Sequence, residues 1–370
     1  MVRVNAEGWL ASSPTRMRQP ILRSAQDDPA VSPIFRWVPL LNTADRLTGC
    51  LLGQVLGDAL GFVVEARPPD VAEAYVRDWL FAGRAGERAH ADYPFGQYSD
   101  DTQLARELLI SVREAGGWNP AGFAARIAEL FRTGADVGAG EGTRGAARRL
   151  LAGTSWLESG TPPPYAGNGS AMRAAPLGLL FAGDPAALRT AARDQSRITH
   201  LDPRCAAGSV AVAGAAFLAT APGALDPRRL LRQLTIWVAA EDASVARAVA
   251  GVEEWLPLAP SAAAARLRAE GLDPGHASPW LGISAFVTPS VAWSLYAFLR
   301  TPDDYWATIC TAIAVGGDTD TMGAIAGALA GARLGPDALP PELLARLTDR
   351  GGWGVSELAQ LAADCAPYER

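Results

Sequence analysis

The sequence predicts an all-α protein, a compact single domain of many helices. Three observations carry this expectation. Apolar and small residues recur at helical spacing in more than a dozen segments, the connections are short and rich in Gly and Pro, and convincing alternating strands are absent. The length of 370 residues would allow two average domains, but no composition shift divides the chain after residue 45.

Taken in order, residues 1–44 mix Pro, Ser, Arg and Asp without periodicity (SSPTRMRQPILRSAQDDPAVSPIF) and are expected to form a poorly ordered extension. The folded domain is expected over 45–370. The character changes at Thr43: DRLTGCLLGQVLGDALGFVVE has apolar residues at helical spacing, with Gly53, Gly57 and Gly61 four apart. Further helices are expected over 101–115, 120–132, 143–152, 171–182, 184–195 and 204–220. Others follow over 227–254 (with a break near Ala240), 261–270, 289–300, 303–315, 320–333, 340–348 and 355–364. Many of these begin at Asp, Ser, Thr or Pro, the residues that cap or start helices. Each helical glycine costs about 1 kcal/mol relative to alanine. Their regular spacing therefore implies that bare faces let neighbouring helices approach closely.

Composition excludes several function classes. Apolar residues make up 49% and charged residues 19%, as in soluble globular proteins. The net charge is -6, and all 33 basic residues are arginine. No basic stripe marks a nucleic-acid binder. The absence of lysine removes Schiff-base chemistry and the lysine-dependent phosphate loop. The four cysteines, Cys50, Cys205, Cys310 and Cys365, are widely separated, which argues against zinc or a disulfide framework and suits a reducing cytoplasm. No secretory signal is expected at the N-terminus, and no apolar run of about 20 residues suggests a membrane partner.

The stretch AVGGDTDTMGAIAGALAGARLG, Ala314–Gly335, packs Asp318, Thr319, Asp320 and Thr321 into the start of a small-residue helix. A second cluster, Ser99-Asp100-Asp101-Thr102, stands ahead of QLARELLISVREA in the same way. Capping of free backbone N–H groups is the simplest reading of either cluster alone. Two adjacent carboxylates exceed what one cap requires, however, and the chain does this twice before apolar helices. Oxygen ligands without nearby His or Cys point to Mg²⁺ or Mn²⁺. A third element, Gly167-Asn168-Gly169-Ser170, followed by Met172 and Arg173, reads equally as an ordinary helix-entry turn or as a seat whose backbone N–H groups meet phosphate or sugar oxygens, with Arg173 able to add charge. The fourth is His200 in ITHLDPR, where a structural hydrogen bond competes with a role in a site.

These segments together spell a family. GCLLGQVLGDALGFVVE, YSDDTQLA, GNGSAMRAAPLGLL, ITHLDPRC and GGDTDTMGAIAGALAGA resemble, in order and approximate spacing, the ADP-ribosylglycohydrolases of the dinitrogenase-reductase-activating type. The resemblance covers about residues 45–335. It implies a compact all-α fold with a dinuclear Mg²⁺ or Mn²⁺ centre. It also implies hydrolysis at the ribose C1″ of an ADP-ribosylated protein or a related small ADP-ribosyl compound. Ser99, Asp100 and Asp101 match the first metal-binding segment, and Asp318, Asp320 and Thr321 the second. Glu65 matches an acidic residue beside the metals that handles water or gates the site. This gives Glu65, Asp100 and Asp318 as catalytic candidates. Gly167, Asn168, Gly169, Ser170, Met172 and His200 match segments that line ADP-ribose. Ser99 stands where the family more often has threonine, and the hydroxyl is retained.

Two rival readings share the fold: a member that binds ADP-ribose without hydrolysing it, and a hydrolase of a free compound such as O-acetyl-ADP-ribose. Retention of every acidic position favours catalysis. Specificity is expected in the loops 84–97 and 136–145, where Asp136 reads first as a solvated loop charge and second as a residue facing the substrate.

Overall fold

The structure, a computed structural model, describes residues 41–270 and 281–366 and builds them from sixteen α-helices. The first eight are α1 (Thr43–Phe62), α2 (Pro69–Tyr75), α3 (Asp100–Ala115), α4 (Pro120–Arg132), α5 (Glu141–Leu151), α6 (Ala175–Leu180), α7 (Pro185–Thr199) and α8 (Pro203–Ala219). They are followed by α9 (Pro227–Ala239), α10 (Ala243–Trp255), α11 (Pro260–Glu270), α12 (Val287–Arg300), α13 (Tyr305–Ala314), α14 (Thr319–Leu334), α15 (Pro341–Leu344) and α16 (Val355–Cys365). Among the described residues there are only isolated β-bridges and no sheet, so the all-α expectation holds. Of the expected N-terminal extension, residues 1–40 lie outside the described residues; Asn42 already caps α1.

Local chemistry accounts for most helix starts. Asn119, Asp184, Asp202 and Asp226 each accept a hydrogen bond from a first-turn N–H of α4, α7, α8 or α9, with a proline next in sequence. The break expected near Ala240 is real: α9 ends at Ala239, and Asp242 caps α10. Two expected helices are shorter. The one expected over 171–182 is helical only from Ala175, because Ala171 and Met172 donate to the Asn168 carbonyl in a turn. Pro176, lacking an N–H, fits the first turn of α6. The one expected over 340–348 ends at Leu344, since the chain turns to let Thr348 donate to Gly96 O at 2.9 Å. The short α2 and the π-turn Val76–Leu80 after it have no counterpart among the expected helices.

α14 is buried along nearly its whole length, as its all-round apolar surface demands. It packs against α1, α8, α12 and α13. Against α1 it runs antiparallel and meets it through bare backbone. A Cβ placed on Gly53 would lie 2.3 Å from Gly327 O, and one on Gly57 only 2.1 Å from Gly323 O. This contact brings the C-terminal end of α1 beside the N-terminal end of α14, where both acidic clusters gather. No helix among the described residues is long and apolar enough to cross a membrane.

Candidate active site

Three chain turns, far apart in sequence, meet at the head of α14. Gly316 and Gly317 hold left-handed φ values of 69° and 85°, a conformation that disfavours side chains. This lets Gly317 pair on both sides: Ala66 N donates to Gly317 O at 2.8 Å, and Gly317 N donates to Arg67 O at 2.9 Å. Asp318 N donates to Ile283 O at 2.8 Å. Glu65 is thereby fixed beside Asp318 by backbone pairing of its neighbours.

The two acidic clusters differ in what they do locally. Ser99 caps α3, its Oγ accepting from Asp101 N at 3.3 Å and donating to Asp101 Oδ2 at 3.1 Å. Asp318 occupies the N-cap position of α14 but makes no side-chain cap bond. Its Oδ2 instead accepts from Asn168 Nδ2. Helix capping therefore explains Ser99 and leaves Asp318 for something else. Thr321 Oγ1 donates to Asp101 Oδ2 at 3.3 Å, tying the clusters together across the interior. Asp101 Oδ1 and Asp320 Oδ1 are buried with no hydrogen-bond partner. Ligand oxygens of Glu65, Asp318 and Asp320 all lie within 4.8 Å of one another.

So many buried carboxylates perturb each other. Burial, then the charges of Asp318 and Asp58, pushes Glu65 up to about 7. Burial likewise pushes Asp318 up to about 6. Burial together with neighbouring carboxylates holds Asp100, Asp101 and Asp320 well above the usual carboxylate range. The Asp320 carboxyl feels burial first and then Glu65, Asp101 and Asp318. A bound cation would remove this repulsion.

Asp58 reads in the sequence only as a charge beside the glycine run, and the structure gives it a task. Fully buried, it accepts from Ser99 N at 2.9 Å, Thr102 N at 3.1 Å and Thr102 Oγ1 at 2.6 Å, fixing the start of α3. The signal that could have found it is an aspartate inside an otherwise apolar helix, since such a residue is rarely buried without partners.

A cavity of about 160 Å³ opens over the cluster, lined by Glu65, Asp100, Asp101, Asp318, Asp320 and Thr321 at one end. Gly138, Gly140, Gly142, Thr143, Tyr165, Gly167, Asn168, Gly169, Met172, His200 and Ala285 line the rest. The glycines keep it open: a Cβ on Gly142 would lie 2.3 Å from the Tyr165 ring and 2.9 Å from His200 Nε2. Burial and the nearby Arg173 push the His200 pKa down to about 3, so its ring is neutral. His200 Nδ1 lies 2.9 Å from Thr199 Oγ1.

Three expected residues do not line the cavity, the first being Ser99, whose hydroxyl is engaged with Asp101 in the cap of α3. Ser170 is fully buried behind the turn, bonded to Ser196 and Ser209, and does not line the cavity. Its hydroxyl is consumed in joining α7 and α8 to the turn. Arg173 is also fully buried and does not line the cavity: its Nε and Nη2 donate to Gln195 and Thr199, and its Nη1 is buried without a hydrogen-bond partner. Asp136 is not solvated: its side chain is 10% exposed and pairs with Arg144 at 2.9 Å. Of the loop 84–97, His90 stacks on Phe62 at 4.3 Å between ring centroids, and no residue of that loop lines the cavity. The 136–145 loop supplies the glycine wall.

Known proteins resemble this chain in sequence and in fold. The family model described as ADP-ribosylglycohydrolase matches residues 39–370. The ADP-ribosyl-[dinitrogen reductase] glycohydrolase of Rhodospirillum rubrum is 29% identical, over 82% of this chain and 90% of its own. Human ADP-ribosylhydrolase ARH3 is 28% identical, over 81% of this chain and 88% of its own. The ADP-ribosylarginine hydrolase Tri1 of Pseudomonas putida (strain GB-1) is 26% identical, over 95% and 88%. A solved structure described as an ADP-ribosylglycohydrolase-related protein complex superposes with a TM-score of 0.62 at 28% identity, covering 88% of this chain and 98% of that one.

Proposed function

The chain belongs to the ADP-ribosylglycohydrolase family of glycosyl-bond hydrolases, and from that premise we propose a divalent-metal-dependent hydrolase that cleaves the bond at ribose C1″ of an ADP-ribosylated substrate. The observation that carries the reading is the pair of orphaned buried oxygens, Asp101 Oδ1 and Asp320 Oδ1, beside the Glu65–Asp318–Asp320 group. Buried carboxylate oxygens without a donor are costly, and a cation is the partner that fits them.

The residues suit two Mg²⁺ or Mn²⁺ ions, because the donors are all oxygen and no His or Cys lies among them. Asp100, Asp101, Asp318, Asp320 and Thr321 would hold the ions, with Ser99 behind Asp101. When bound, the ions would polarise water and the ribose hydroxyls as Lewis acids. The chain's own groups do the rest. Glu65, beside Asp318 and Asp320 and lining the cavity, is placed to take a proton from water and pass it on. Water supplies the new oxygen on C1″, the bond from C1″ to the acceptor nitrogen or oxygen breaks, and the proton goes to that leaving atom. Asn168 holds Asp318 in orientation. The neutral His200 ring, Met172 and the Gly167–Gly169 turn form the wall against which the ribose and diphosphate rest. The four cysteines are free and buried, consistent with a cytoplasmic enzyme.

The relatives' names include an arginine acceptor and a dinitrogen reductase acceptor, so a protein-linked ADP-ribose is the first substrate to test. The assay is release of ADP-ribose from ADP-ribosyl-arginine peptide, ADP-ribosyl-serine peptide and O-acetyl-ADP-ribose, in Mg²⁺, in Mn²⁺ and in EDTA. Turnover that needs the metal and disappears in Asp318→Ala is expected. Undiminished turnover in EDTA overturns the metal-dependent reading.

A further inference from the structure

We propose that Asp349 and Arg350, in the loop Thr348–Trp353 between α15 and α16, are positioning residues for the Asp100–Asp101 pair. The proposal rests on the reading that this pair holds metal. Neither residue lines the cavity.

The Asp349 side chain is 10% exposed and accepts from three donors. Gln97 Nε2 donates to its Oδ1 at 3.3 Å, and Gln103 Nε2 and Arg106 Nη1 donate to its Oδ2 at 3.0 and 2.8 Å. The two glutamines flank the acidic segment on either side. Gln97 Nε2 also donates to Tyr98 O at 2.8 Å, immediately before Ser99. Gln103 Oε1 accepts from Val137 N at 2.9 Å, and Val137 O accepts from Asp100 N at 2.7 Å. A continuous relay thus runs from the Asp349 carboxylate through Gln103 and Val137 to the Asp100 backbone.

Arg350 braces the same relay from the other side. Its N–H donates to Gln97 Oε1 at 2.9 Å, and its guanidinium donates to Ala135 O at 2.9 Å and Asp136 O at 3.3 Å. Those two carbonyls stand directly before Val137. Arg350 holds a left-handed φ of 51°, and Trp353 one of 48°. Non-glycine residues in that region cost energy and persist where their surroundings over-determine them. Here the surroundings are the bonds to both sides of the acidic segment. Partners that orient metal-binding groups in this way are worth about 10–100-fold in metal affinity or activity.

The test uses the full chain and compares wild type with Asp349→Asn and Arg350→Gly. Asparagine keeps the shape but turns an NH₂ toward donors that need an acceptor. Glycine relaxes the φ at 350 while removing the guanidinium, so a loss there does not come from added backbone strain. Three readouts are taken: Mn²⁺ affinity by paramagnetic resonance, hydrogen exchange at the Asp100 amide, and melting temperature. Expected are Mn²⁺ binding weakened about tenfold or more and faster exchange at the Asp100 amide, in both variants, with the fold retained. Wild-type Mn²⁺ affinity and wild-type exchange in both variants overturn the proposal. If one variant does not fold, the other decides. If wild type itself binds no Mn²⁺, the metal reading has failed, and exchange at the Asp100 amide alone decides the positioning role.

Discussion

Replacing Gly57 by alanine is a severe test of the α1–α14 contact. In an unconstrained helix this substitution is stabilising by about 1 kcal/mol. Here the added Cβ would sit 2.1 Å from Gly323 O and 2.6 Å from Gly323 C. Ordinary contact begins at 3.4 Å, so the helices must part by about 1.3 Å. Both sides of the contact are backbone, and no side chain can swing away. Overpacking of this kind costs about 1–3 kcal/mol, and the rigid geometry argues for the upper end. After the helix-propensity gain, a net loss of about 2 kcal/mol remains, or about 3 °C in Tm at an unfolding entropy of about 2.1 cal/mol/K per residue over a domain of this size. Gly145 in α5 is the control: a Cβ there meets nothing nearer than the Arg149 guanidinium at 3.5 Å. Gly145→Ala should leave Tm unchanged or raise it. Calorimetry on both variants, with urea titration to obtain ΔG, decides the matter. Gly57→Ala melting at or above wild type refutes the reasoning that backbone contact sets the helix separation.

Other expectations concern the acidic centre. The folded pKa values of Asp58 and Asp318 (about 6) and Glu65 (about 7) lie above their unfolded values of about 4. Their contribution to stability is therefore complete below about pH 4 and is lost as pH rises through 6–7; in EDTA, this cluster makes the protein melt lower at pH 8 than at pH 5.5, a difference that excess Mg²⁺ should shrink. Thermal scans across that range, with and without metal, read it directly. Asp318→Asn removes one repelling charge, so it should raise Tm in EDTA and abolish the stabilisation by Mg²⁺. Asn168→Ala removes the donor to Asp318 and should lower kcat/KM by about 10–100-fold, since a hydrogen bond to a charged group is worth about 1.5–3 kcal/mol; steady-state kinetics provide the check. Asp58→Ala leaves Ser99 N, Thr102 N and Thr102 Oγ1 without their acceptor and should cost about 3 kcal/mol or more, at roughly 1–3 for each buried group, in a urea titration.

Much of this was legible because the helices announce themselves. Apolar spacing and Asx-Pro starts such as Asp202-Pro203 and Asp226-Pro227 are local signals, and the helices begin where those signals stand. The acidic clusters were legible because charge inside apolar sequence is anomalous. What the residues could not reveal is direction. Ser170 and Asn168 lie in one turn, yet Asn168 reaches Asp318 while Ser170 reaches Ser196. Nothing in GNGS distinguishes them before the chain is folded around α7 and α8. Glu65 came from resemblance alone, because the pairing of Ala66 and Arg67 with Gly317 joins segments at opposite ends of the domain's sequence. Asp349 carried no signal at all: TDRGGWG reads as a turn, and its partners Gln97 and Gln103 belong to a segment 252 and 246 residues earlier.

The pairing of α1 with α14 also has a consequence in time. Thr319 Oγ1 donates to Gly61 O across 258 residues. At synthesis rates of about 5–20 residues per second, that interval lasts roughly 13–50 s. For that long the first helix emerges from the ribosome without the surface it was shaped to meet, its glycine face bare and Asp58 still distant from Asp318. Closure of so long a loop comes late and slowly. The interior acidic centre is therefore among the last features to form, and a chain cut short before residue 318 would have the first acidic cluster without the second.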